Sequence, residues 1–178
     1  IGWKEIKEIE KYDFVTIGNH SHSHDYLVNF SYDEFKKDIE KSIKIFEDNL
    51  GYNPKFFSYP FGEWDLAQKK FISRNFDFGF GQHSGVIDLN KDKYELPRFP
   101  INEKYGDLER FSFLLNLSPL EYKNFIPEDK YILKSNNPPE TIIEFFEGQK
   151  NLDKINCFSD EGNGWDKSKT KLIKNKLF

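Results

Sequence analysis

The sequence has no methionine, one cysteine and four histidines, and its 26 basic residues are outnumbered by 30 acidic ones. A lone cysteine rules out an internal disulfide framework, and Cys157, beside Ile155 and Phe158, is expected at a buried strand position. The net charge of −4 leaves no extended cationic surface, so no nucleic acid or anionic lipid is expected as a partner. No apolar run approaches the ~20 residues of a membrane span, and there is neither an internal repeat nor a low-complexity tract. Lacking any methionine and opening on Ile1-Gly2-Trp3 with nothing resembling a signal peptide, the chain is expected to be an internal fragment.

What is present is concentrated. Three of the four histidines fall within five residues, in Gly18-Asn19-His20-Ser21-His22-Ser23-His24. Val15, Thr16 and Ile17 are β-branched and predict a short strand over 14–17 that Gly18-Asn19 breaks. The histidines would then stand at a strand end, where α/β folds keep their sites. His20 and His24 are four apart, a spacing that places two imidazoles on one side of a helical turn, within reach of one divalent metal. Ser21 and Ser23 are expected to fix the rings from behind, and His22 to point elsewhere. An aromatic content of 17% supplies core and also flat faces for sugar rings.

His20-Ser21-His22-Ser23-His24 resembles the His-Ser/Thr-x-Ser/Thr-His metal motif of the NodB-type polysaccharide deacetylases, the fourth carbohydrate esterase family. Phe57-Ser58-Tyr59-Pro60-Phe61-Gly62 resembles the same family's Pro-Tyr/Phe-Gly groove motif, and Leu96-Pro97-Arg98-Phe99-Pro100-Ile101 resembles a later segment of some branches. The resemblance covers about residues 12 to 105. It implies a metal-dependent hydrolase that removes acetyl groups from N-acetylhexosamine units of a polysaccharide, acting in a secreted, periplasmic or cell-surface setting. His20 and His24 would hold a divalent metal, zinc with cobalt or nickel as substitutes. Pro60, Phe61 and Gly62 would line the substrate, with the Phe61 amide as oxyanion donor and Gly62 opening the backbone to substrate.

Two parts of the family pattern are missing. The third metal ligand and the general base form an Asp-Asp pair on the first barrel strand, and no Asp-Asp occurs in this sequence. The catalytic base is therefore expected upstream of Ile1, and Asp13 and Asp25 do not match the motif. The general-acid histidine follows a later strand, yet no histidine follows His83, which reads as a loop residue. Ser58 also stands where many members carry an arginine, and Arg98 could hold an acidic side chain or form a surface ion pair. A non-catalytic carbohydrate-binding relative and a hydrolase of a small amide remain the alternatives.

Along the chain, an amphipathic helix is predicted over 3–11. Ser31 opens a capping box, the apolar positions Phe35, Ile39, Ile43, Phe46 and Leu50 follow, and Gly51 closes the helix. Strands are predicted over 56–59 and 76–81, with a helix capped by Asp65 between them and another helix after Tyr105. The alternation implies an α/β fold with a parallel sheet, a partial (β/α) barrel over residues 1–118 that lacks its first strand. Residues 119–178 read as the start of a β-rich accessory region, with a solvated edge strand in the lysine-rich tail.

Overall fold

The computed structural model describes residues 1–88, 90–160 and 162–178. Two compact units are present, Ile1–Pro119 and Leu120–Phe178. Among the described residues no helix is long and apolar enough to cross a membrane.

The first unit alternates helices and strands: α1 (Trp3–Ile9), β1 (Gly18–Asn19), α2 (Tyr32–Leu50), β2 (Phe56–Ser58), α3 (Leu66–Asn75), β3 (Phe78–Phe80) and α4 (Leu108–Leu115). The strands form a parallel sheet in the order β1-β2-β3, with Gly18 opposite Phe56 and Phe57 opposite Gly79. Beyond β3 an isolated bridge pairs Phe80 with Leu96. The result is an α/β unit with a three-stranded sheet rather than a closed barrel among the described residues.

The expected strand over 14–17 is not formed. β1 lies later, on the two residues read as breakers, because that is where the chain runs beside Phe56 and Phe57. Phe14 is 85% exposed, and the Val15 N–H turns back to the Tyr12 carbonyl. β-Propensity describes a pleated, half-buried surface, and residues 14–17 have no neighbouring strand to supply one.

Helix α2 follows its sequence closely. The Ser31 hydroxyl accepts from the Glu34 N–H while Glu34 takes the Ser31 N–H, and Gly51 ends the helix in the left-handed region at φ 85°. Its apolar stripe buries Phe35 and Ile39 against Phe57, Tyr59, Phe71, Ile72 and Phe76. Side chains alternate across the sheet, so Asn19 and Phe57 face α2 whereas Phe56, Phe78 and Phe80 share the opposite face with ring centroids 5.3 and 5.9 Å from Phe56.

The second unit is antiparallel. Strands β4 (Asn124–Ile126), β5 (Ile142–Glu144), β8 (Leu172–Ile173) and β9 (Lys176–Leu177) pair in the order β4-β5-β9-β8, and β6 (Phe158–Asp160) with β7 (Trp165–Lys167) forms a separate hairpin. Phe145, Leu152 and Leu177 form its small core. Cys157 packs against that core half-buried but outside a strand, one residue before β6. Within the lysine-rich run of the tail, Leu172–Ile173 forms β8, which pairs with β9 at an edge of the four-stranded sheet.

Candidate active site

Because β1 and β2 are parallel, the loops that leave their C-terminal ends open on one rim of the sheet. His20 follows β1 directly, and Pro60 stands two residues beyond β2. The rings of His20 and His24 lie 4.8 Å apart between centroids, and the His24 ring lies 5.1 Å from that of Phe61. Both motifs therefore meet at one place.

The two imidazoles converge by a route other than a helical turn. Residues 20–24 are not helical, and Ser21 (φ 69°) and His24 (φ 58°) both lie in the left-handed region. Side chains pin this loop. The buried Asn19 Oδ1 accepts from the Ser21 N–H at 3.0 Å and from the Ser42 hydroxyl at 3.1 Å. Asp38 on α2 accepts the His22 N–H at 2.9 Å and the Ser23 N–H at 3.0 Å, one on each carboxylate oxygen. Ser21 and Ser23 accept from the N–H groups of His24 and Asp25, so they hold backbone rather than rings.

Ring orientation comes instead from Ser58. Its carbonyl lies 2.7 Å from His20 Nδ1, and a carbonyl can only accept, so Nδ1 carries the proton and Nε2 is left with its lone pair. A ligating histidine needs that tautomer. The Ser58 hydroxyl is itself buried without a hydrogen-bond partner among the described residues.

Asp38 and Ser42 were not singled out by the sequence reading. Their signal was present: two polar residues four apart, bordering the apolar stripe on the face that α2 turns to β1.

Pro60, Phe61 and Gly62 form a tight turn in which Phe61, a non-glycine residue, sits at φ 57° and ψ 1°. The Gly62 N–H donates to Tyr59 O, whereas the Phe61 N–H has no acceptor among the described residues. Phe61 is 47% exposed. Gly62 does not open the backbone to substrate: a Cβ there would lie 2.4 Å from the Gln82 nitrogen, so its glycine is demanded by the neighbouring loop and by φ 75°.

His83 lies in the loop after β3 with its ring 6.1 Å from that of Trp64. Arg98 donates from Nε to the Gly81 carbonyl at 2.8 Å and from its backbone N–H to the His83 carbonyl, so its observed contacts close a loop. The donor set fits a divalent ion in part. His20 Nε2 and the neighbouring His24 ring are suitable ligands, yet among the described residues no three His, Cys, Asp or Glu side chains are grouped to hold an ion. The acidic residues nearest in sequence do not complete the set, and Asp38 is occupied by the loop backbone.

Fold and rim together define an α/β protein with paired imidazoles and an uncommitted backbone amide at its strand ends. Residues 2–76 match the model of the family described as polysaccharide deacetylase. A peptidoglycan-N-acetylglucosamine deacetylase of Bacillus cereus is 43% identical over 47 residues, which cover 26% of this chain and 17% of that protein. The deacetylase PplD of Streptococcus pyogenes, solved in complex with acetate, has a similar fold, with a TM-score of 0.60 at 19% identity, covering 66% of this chain and 51% of that one. The chain thus spans a minor part of the curated relative and about half of the solved one.

Proposed function

We propose that this chain is part of a metal-dependent polysaccharide deacetylase that hydrolyses the N-acetyl group of N-acetylhexosamine units in a carbohydrate polymer, at or beyond the cell surface. The observation that carries the reading is the meeting of His20, with its Nε2 free, and His24 at the same rim as the unpaired Phe61 amide. The family match over residues 2–76 supports it, as does the printed activity of the Bacillus relative. The three-stranded sheet would be part of a (β/α) barrel, and residues 119–178 an accessory region.

His20 and His24 would hold the divalent ion, zinc or in its place cobalt or nickel, which when bound supplies a Lewis acid and lowers the pKa of a water to about 7. The Ser58 carbonyl keeps the His20 ring in the required tautomer. As water adds to the acetyl carbonyl carbon, negative charge develops on the carbonyl oxygen, and the Phe61 N–H is free to donate to it. Phe61 and Tyr26, with ring centroids 5.3 Å apart, offer exposed aromatic faces to a sugar. The acidic ligand, the general base and the general acid are not assigned to residues of this chain. A non-catalytic carbohydrate-binding relative is the second reading, favoured by the lack of a third ligand among the described residues.

The reading is tested by titrating zinc into the protein and its His20→Ala and His24→Ala variants by calorimetry, and by assaying acetate release from N-acetylglucosamine oligomers with the whole gene product. Each variant should lose zinc affinity by at least about tenfold. Wild-type affinity retained by both variants would exclude the metal site. Glycan binding without acetate release would favour the second reading.

A further inference from the structure

Two residues outside both motifs join the loops that carry them. Tyr26, two residues after His24, donates its hydroxyl to the carboxylate of Glu63, two residues after Phe61. The Tyr26 ring meets Phe61 edge-on at 5.3 Å, and the other neighbour of the Phe61 ring is His24 at 5.1 Å. Phe61 is half-exposed, so burial does not hold it. Its left-handed backbone is one that non-glycine residues adopt only when their surroundings impose it. The end of the turn is fixed, since Gly62 packs on Gln82. The direction of the Phe61 N–H then depends on what keeps the Phe61 ring between His24 and Tyr26.

We infer that the Tyr26–Glu63 hydrogen bond is a latch between the histidine loop and the Pro60-Phe61-Gly62 turn, and that Tyr26 and Glu63 are positioning residues that aim the Phe61 amide at the oxyanion. The role rests on the deacetylase reading, but the latch itself does not. By bridging the rim it couples the place of the imidazoles to the place of the donor, two parts of a site that must be held together to a fraction of an ångström.

The test uses the whole gene product with Tyr26→Phe, Glu63→Ala, the double variant, and Glu63→Gln, which keeps an acceptor oxygen. Acetate release should show kcat lower by about tenfold in Tyr26→Phe and Glu63→Ala with KM little changed. The double variant should be no slower than either single one, and Glu63→Gln should retain most of the rate. Hydrogen exchange should quicken in both 21–26 and 60–63 in the two disruptive single variants. Unchanged exchange in both loops, or losses that multiply in the double variant, would overturn the latch. If the wild type releases no acetate, the proposed function fails, and the exchange measurement alone decides the latch.

Discussion

Asp38 holds the histidine loop from a neighbouring helix by accepting two consecutive backbone N–H groups, from His22 and Ser23, at 2.9 and 3.0 Å. A carboxylate is suited to this because it offers two acceptors and bonds of a charged group are stronger than neutral ones. Asp38→Ala leaves both N–H groups to exposed surroundings, so the stability loss should be small, about 1–3 kcal/mol. The loop should then sample other conformations, and zinc affinity should fall by roughly 10–100-fold as when a supporting contact is removed. Calorimetric titration beside a denaturant melt checks this: a variant that loses stability but keeps zinc affinity would assign Asp38 to the fold alone. The four-residue spacing of His20 and His24 did mark a pair that comes together. The means of their meeting was hidden, since the loop combines local bonds, Ser21 N–H to Asn19 and His24 N–H to the Ser21 hydroxyl, with tertiary ones from the loop to Asp38 and from Ser42 to Asn19.

Helices were easier to read than strands because their ends carry side-chain chemistry. Ser31 and Asp65 each accept the N–H three residues on, and both helices start where those caps stand. The strands have only two or three residues each, and the misplaced β1 turns on which residues face Phe56 and Phe57, a fact of the whole sheet. Contacts between elements also contribute to stability at alkaline pH. The Tyr52 hydroxyl donates to Glu10, joining the end of α1 to the turn after α2, and burial together with that carboxylate pushes the phenol from 10.0 to about 12. On α3, burial opposes the Lys69 charge, but Asp92 at 2.8 Å and Glu95 at 3.1 Å outweigh it and raise the pKa above 10.5. In both groups the protonated form is favoured by the fold. Their contribution is full below the unfolded values, near pH 10, and is lost as pH rises through the folded ones. Circular dichroism should therefore show a loss of helix centred above pH 10, and Tyr52→Phe should change its profile between pH 10 and 12. Identical profiles for the variant and the wild type would remove Tyr52 from the account.

At the scale of the molecule, the two units have separate cores, one built on Phe35, Ile39, Phe57 and Tyr59 and the other on Phe145, Leu152 and Leu177. The first carries every residue of the candidate site, and what it provides is positioning: two imidazoles, one free amide and an aromatic rim. Among the described residues no third His, Cys, Asp or Glu side chain joins the two imidazoles to hold an ion. Two neutral ligands hold zinc less firmly than three that include a charge. Without a positioned base, proton removal loses roughly 10²–10⁴ in rate. Residues 1–178 expressed alone should accordingly bind zinc weakly and release acetate from N-acetylglucosamine oligomers at most marginally, while the whole gene product should do both. Side-by-side assays with zinc, cobalt and nickel decide the matter. Full turnover by residues 1–178 would mean that a base lies within this chain, with His83 and Asp25 the first residues to substitute, whereas no turnover by the whole gene product would leave the rim a site for binding glycan.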